Sequence, residues 1–201
     1  MVSFESKLYK NNIIFLRHLK VRHNLEGIFL GQIDEDIIES SSLINNENII
    51  KNCSTLIISS PAKRCISTTA ILIKTLKDYQ KFDYELEISE ELIERNFGIF
   101  QGEKKFFIKR KFPEYFLNGK LDPFLTPPEG ESFTSFFYRI NNFYNYLIKI
   151  VINKYEQIIV ISHQHVLKLL TCIICKLDIK LNWNKINYDN GILIGVSFYE
   201  K

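Results

Sequence analysis

The chain has 201 residues, of which 46% are hydrophobic and 24% charged, with a formal net charge of +3 at pH 7. That length fits one domain with a sizeable core, and the composition is that of a soluble globular protein. The charge is too small and too dispersed for a nucleic-acid binder, which needs a clustered basic footprint, whereas a mildly basic surface suits an anionic small molecule.

Met1 to Asn12 contains Glu5, Lys7 and Lys10 and lacks the apolar core of a signal peptide. The run Ile13 to Leu16 is short, β-branched and aromatic, and predicts a buried strand that delivers Arg17 and His18 at its end. Gly27 to Asn52 is less regular. A helix is expected from about Ser41 to Lys51, and the acidic stretch Asp34 to Asp36 reads as a solvated loop, since no further ligand has metal-site spacing.

Thr55 to Ser59 predicts a second strand, with Ser60 as N-cap, Pro61 as first helical residue and Arg64 one turn into a helix reaching Leu76. Tyr84 to Ile88 alternates like a half-buried strand and leads to Glu94, whose bland reading is a surface partner for Arg95. Residues 101–126 interleave lysines with Phe106, Phe107, Phe112, Tyr115 and Phe116. The expected arrangement is a short helical excursion with aromatics inward and lysines outward, in preference to a single-strand nucleic-acid surface.

Thr126 to Gly130 reads as a turn, and Ser132 caps a helix running to about Asn153, with apolar residues at spacings of three and four. A strand from Gln157 to Ser162 ends at His163, a helix spans His165 to Lys176, and Gly191 to Phe198 forms a last strand. No apolar run approaches the roughly 18 residues of a membrane span. The four cysteines, Cys53, Cys65, Cys172 and Cys175, form no disulfide framework; Cys172 and Cys175 read as core thiols in a buried helix, and a cytoplasmic location is expected.

Three of these strand ends supply Arg17 and His18, Arg64, and His163, a set suited to a phosphoryl group at the carboxyl edge of an open α/β sheet. The residues resemble the histidine phosphatase superfamily, also called phosphoglycerate mutase-like. Its Leu-x-Arg-His-Gly signature is similar to Phe15 to Leu19, its following Asn to Asn24, and its Gly-x-x-x-Gly to Gly27 and Gly31. Ser60 and Arg64, then Leu92, Glu94, Phe97, Gly98 and Gly102, then Gly130, Glu131 and Ser132, and finally Ser162 and His163 match later elements in order. The small alpha-ribazole phosphatases and broad-specificity phosphatases look nearest.

The resemblance implies a three-layer α/β/α sandwich with a mostly parallel sheet, a single domain over 1–201, and a small helical cap inserted at about 99–128. It implies a metal-independent, cofactor-free phosphomonoester hydrolase acting on a small phosphate ester, with no nucleic-acid or membrane partner; homodimerisation stays open. His18 is then the nucleophile, Glu94 the general acid and base, its pKa raised in the free enzyme or in the substrate complex, and protonated His163 joins Arg17 and Arg64 around the phosphoryl oxygens. Asn24 and Gln164 add substrate contacts, and Lys104, Lys105 and Arg110 are candidates to meet distal groups. Leu19 and Val21 depart from a usual Gly and Thr, and His165 from a Gly; His23 and His165 read as ordinary partly buried residues. Mutase-type transfer, or ligand binding without turnover, are the alternatives.

Overall fold

The apolar runs at 13–16, 56–58 and 158–161 become strands that are buried on both faces, as near-continuous hydrophobic strands of a parallel sheet must be. The computed structural model describes residues 12–38, 53–79, 83–151 and 154–196; the helix expected near Ser41 to Lys51 lies outside these. In chain order the regular elements are β1 (Asn12–Arg17), α1 (Arg22–Glu26), β2 (Thr55–Ser59), α2 (Lys63–Tyr79), β3 (Tyr84–Ile88) and α3 (Lys105–Lys111). The short hairpin β4 (Phe116–Leu117) and β5 (Lys120–Leu121) follows, then α4 (Phe133–Tyr146), β6 (Gln157–Ser162), α5 (Gln164–Ile174), α6 (Ile179–Asn182) and β7 (Leu193–Val196).

The five-stranded sheet has the order β3-β2-β6-β1-β7, parallel except for β7, which runs antiparallel to β1. Period-two alternation splits its side chains between two cores. Ile13, Phe15, Leu56, Ile58, Ile158 and Val160 face α4, α5 and Trp183. Ile14, Leu16, Ile57, Ile159 and Ile161 face Cys65, Leu72 and Leu76 of α2. Helices therefore cover both faces of a mostly parallel sheet, the architecture expected from the sequence. Each such aliphatic side chain contributes roughly 1.5–3 kcal/mol by leaving water, which is why the pattern fixes the register.

A third cluster lies outside the sheet: Phe29, Phe97, Phe100, Ile108 and Leu121, with Phe112, Tyr115 and Phe116 packed against them. The aromatic stretch thus turns inward only in part, for Phe106 and Phe107 are exposed because α3, seven residues long, packs on Ile108 alone. Gly98 anchors the entry to this region. Its φ is +53°, and a Cβ there would stand 1.9 Å from the Pro128 carbonyl oxygen, so no larger residue fits.

Three further details depart from expectation. Helix α2 begins at Lys63, two residues after Pro61, and the Ser60 hydroxyl meets both His163 Nε2 at 2.9 Å and Ala62 N at 3.4 Å. Helix α4 is capped by Ser132, which accepts from Ser135 N at 3.0 Å, but gives way after Tyr146 to a π-helical turn, Leu147–Val151. Strand β3 is an exposed edge rather than half-buried, with Glu85 and Glu87 accepting from the hydroxyls of Tyr155 and Tyr146. Cys65 and Cys172 are buried thiols. Among the described residues no helix is long and apolar enough to cross a membrane.

Candidate active site

Successive strand ends are stitched together by main-chain hydrogen bonds: His18 N donates to Ser162 O, Ser60 N to Ile161 O, and Ser89 N to Ser59 O, each at 2.9 to 3.0 Å. This brings Arg17, His18, Arg64, Glu94 and His163 to one edge, as the parallel register requires. They line a cavity of about 100 Å³ together with Asn24, Phe29, Phe97, Lys105, Gln164 and His165.

His18 is 3% exposed, and its main chain is pinned on both sides. Asn190 Nδ2 donates to His18 O at 2.7 Å, and Leu19 N donates to Thr68 Oγ1 at 2.9 Å. The ring atom Nδ1 lies 2.7 Å from Leu19 O. A carbonyl can only accept, so Nδ1 carries the proton and Nε2 keeps its lone pair. Burial, then the neighbouring His163, Arg17 and Arg64, hold the pKa of His18 well below the ordinary value, so the ring is neutral. Leu19 is buried and does not line the cavity; its carbonyl fixes the histidine tautomer, a service any residue at that position renders.

The two arginines differ in how they are held. Arg64 is buried, with Nη1 donating to Ile33 O and Nη2 to Gly31 O, both at 2.7 Å, and Nε to His163 Nδ1 at 3.2 Å. Arg17 uses Nη1 on Gln164 Oε1 (3.1 Å) and Tyr188 O (2.9 Å), while its buried Nε has no hydrogen-bond partner. An unsatisfied buried guanidinium N–H beside a cavity is a waiting anion contact.

In the unliganded site His163 is neutral. Nδ1 accepts from Arg64, so Nε2 bears the proton and donates to Ser60 Oγ at 2.9 Å. Burial, then Arg64, lower its pKa to about 3, against a smaller opposing effect of Glu94. Its ring centroid stands 5.3 Å from that of His18. Cys65 Sγ lies 3.6 Å from Nε2, and burial pushes that thiol up to about 12, which keeps it protonated and inert.

In the unliganded site Glu94 is not raised. Burial alone would raise its pKa, but the His165 imidazole facing it at 3.7 Å, then His163 and the Arg95 N–H, outweigh burial and hold the carboxyl below the usual range. Oε1 accepts from Arg95 N at 2.9 Å and Oε2 from His165 N at 3.4 Å. The Arg95 side chain does not pair with it. That guanidinium is fully buried and donates to Pro123 O, Leu125 O and Glu131 O, tying the 123–131 segment down. Glu131 in turn forks onto Arg139, at 2.8 Å and 3.0 Å.

Other sequence-derived residues sort as follows. Asn24 lines the cavity and its Oδ1 accepts from Val21 N at 3.2 Å, which leaves the amide NH2 as the donor end. Gln164 lines the cavity as well, but its Oε1 accepts from Arg17 and from Tyr188 N while Nε2 donates to Asn187, so its amide orients Arg17. Of the three basic candidates in the 104–110 stretch, Lys105 alone lines the cavity. His23 pairs with Glu35 at 2.8 Å, away from the cavity. His165 lines it, against its expected bland role, and Ser60 and Gln164 act through other side chains; no sequence spacing announces such contacts.

Residues 13–201 match the family model described as histidine phosphatase superfamily (branch 1). A Hydrogenobacter thermophilus protein named "Putative phosphoserine phosphatase 2" is 27% identical over 184 residues, covering 89% of this chain and 85% of that protein. The alpha-ribazole phosphatase from Shigella flexneri superposes with a TM-score of 0.67 at 19% identity, over 94% of each chain. A mycobacterial glucosyl-3-phosphoglycerate phosphatase superposes with a TM-score of 0.71 at 17% identity, over 94% of this chain and 97% of that one. With the family model spanning nearly the whole chain and the strand-end cluster in place, the chain belongs to the histidine phosphatase superfamily, branch 1, and is an enzyme of the phosphatase type.

Proposed function

We propose that the chain hydrolyses phosphomonoesters of small metabolites through a phosphohistidine at His18, without a metal ion. The observation that carries this reading is the tautomer of His18: Nδ1–H is fixed on Leu19 O, the ring is neutral, and Nε2 is a bare lone pair in the cavity. Nε2 attacks phosphorus in line and displaces the alcohol, and water then releases phosphate, so that one difficult displacement becomes two easier ones. Arg17 with its unpartnered Nε, Arg64 and the Asn24 amide supply fixed donors for the phosphoryl oxygens.

For His163, neutral beforehand, to gain a proton, Nδ1 must give up the Arg64 Nε–H that it accepts; a dianionic phosphate favours that exchange by drawing the guanidinium to itself and offsetting the charges of Arg64 and Arg17 that depress the His163 pKa. The same anion raises Glu94, which then protonates the leaving oxygen and, ionised again, takes a proton from the attacking water. The segment 99–128 acts as a cap: its Lys105 offers a cation, beside an apolar wall of Phe29 and Phe97, to the part of the ester outside the phosphoryl pocket. That wall and cation fit small esters such as alpha-ribazole phosphate or phosphoserine, or a broad range of them.

The test is release of phosphate from a panel of phosphomonoesters in EDTA, with rapid acid-free quenching to trap label on protein. Wild type is expected to turn over and to show an acid-labile, base-stable phosphoryl adduct. His18→Ala is expected to lose the adduct and about 10⁵–10⁶ of the rate, as removal of a nucleophile does. Turnover that stops with EDTA, or persists in His18→Ala, overturns the reading.

A further inference from the structure

One imidazole at the cavity has no part in this scheme. His165 sits in the first turn of α5, two residues beyond His163. Its ring lies nearly parallel to the indole of Trp183, with centroids 5.4 Å apart and planes at 22°, and meets Phe97 edge-on at 5.0 Å and 71°. This clamp aims Nδ1 at Glu94 Oε2, 3.7 Å away, while the main-chain N–H of the same residue reaches that oxygen at 3.4 Å. Nδ1 is buried and makes no hydrogen bond in the unliganded site. A ring that merely filled space would turn its carbon edge to a buried carboxylate.

The charged groups facing His165 are few. Glu94 and Arg95 come from the segment after β3, and Lys168 from the next turn of α5; Phe97 and Trp183 are uncharged. Lys168 is itself held away by Trp183 O, to which Nζ donates at 3.0 Å. Burial lowers the His165 pKa, Glu94 raises it, and Lys168 and Arg95 lower it further. A dianionic ester in the cavity shifts that balance toward the imidazolium.

We propose that His165 and Glu94 form a pair that stores and passes the proton used on the leaving oxygen, with Glu94 as the catalytic residue and His165 as the positioning residue behind it. The inference rests on the phosphatase reading above. In the first step the bond from His18 Nε2 to phosphorus forms and the bond from phosphorus to the ester oxygen breaks. Glu94 starts as the carboxylate: its Oε2 takes the Nδ1 proton of the His165 imidazolium and hands it to the departing oxygen, leaving a neutral ring and a carboxylate. In the second step water gives a proton to Glu94, which returns it to His165; the water oxygen bonds phosphorus, the bond to Nε2 breaks, and HPO4²⁻ leaves. The pair ends as it began.

His165→Asn tests this, because the amide Nδ2–H stands where Nδ1–H stood but cannot titrate. The rate is measured against pH on an alkyl phosphate, whose leaving group needs a proton, and on p-nitrophenyl phosphate, whose leaving group does not. The expected result is a loss of roughly 10²-fold on the alkyl ester, little change on the aryl ester, and an alkaline limb moved to lower pH, since a lone carboxyl releases its proton before the pair does. In a Glu94→Gln background the same substitution is expected to add nothing. Equal losses on both esters, or an unmoved alkaline limb, overturn the pair while leaving the phosphatase reading intact. Absence of aryl turnover in wild type strikes the phosphatase reading itself. Should the variant fold poorly, the His165 titration followed by NMR in wild type and Glu94→Gln decides: the pair requires its pKa to fall when the carboxylate is removed.

Discussion

In the floor of the cavity, His18, Arg64 and His163 are held by hydrogen bonds, several of them main-chain, that fix each ring and guanidinium to within one rotamer. In the segment opposite, Phe97, Phe100, Ile108 and Leu121 are held by ring packing, with Arg95 bracing three carbonyls from beneath. The two regions meet at one cavity but obey different physics. Directional bonds set where charge lies to a fraction of an ångström, whereas aromatic packing tolerates exchange of one ring or aliphatic group for another at modest cost. The floor therefore suits chemistry, and the opposite segment suits selectivity.

The sharpest way to break this contrast is at Arg64. Arg64→Ala removes a phosphoryl donor and also leaves Gly31 O, Ile33 O and His163 Nδ1 without their donor. Loss of about 10²–10³ in kcat is expected from the first effect, with a lowered unfolding midpoint from the second; steady-state kinetics and thermal denaturation read the two. An intact midpoint would show that the floor is less interlocked than its bonds indicate.

A second probe uses pH on stability. His163 has a folded-state pKa of about 3 against an ordinary 6.5, and His18 is lowered as well. Between those values the unfolded chain binds protons that the folded chain refuses, so stability rises with pH there. The contribution is whole above about 6.5 and is lost as pH falls toward about 3; the lowered carboxyl of Glu94 adds a loss of the same sign below 4.5. The thermal midpoint is expected to fall between pH 7 and pH 4, and less steeply in His163→Gln. A flat profile in wild type would contradict the neutral imidazoles.

The smallest effect is expected across the cavity. Lys105 lines it and its Nζ stands 5.8 Å from the centre of the Phe29 ring. Lys105→Ala is expected to raise KM by about two- to fivefold, the scale of one partly screened charge, for esters bearing a second anion, with kcat unchanged. Lys104→Ala, one residue away and outside the cavity lining, serves as the control. A kcat effect from Lys105→Ala would erase the division between the two regions.

The strands and the placement of Arg17, His18, Arg64 and His163 were legible in the sequence because each depends on neighbours within a few residues: an apolar run, a cap, a strand end. Glu94 was legible by resemblance, through the surrounding Leu92, Phe97 and Gly98. What escaped was set by partners far along the chain. Gln164 looked like a substrate ligand until Arg17, 147 residues away, took its Oε1. Arg95, the partner in the bland reading of Glu94, instead buries its guanidinium under the carbonyls of Pro123, Leu125 and Glu131.

The sequence by itself thus determined which residues stand at the carboxyl edge of the sheet, since periodicity and turn chemistry are local. Tertiary structure alone decided their charge and their partners. The proton sits on Nδ1 of His18 and on Nε2 of His163 because Leu19 O, Arg64 and Ser60 lie where the fold puts them, and His165 faces Glu94 because Trp183 and Phe97 hold its ring. Protonation follows burial and distance, and neither exists until the chain has folded.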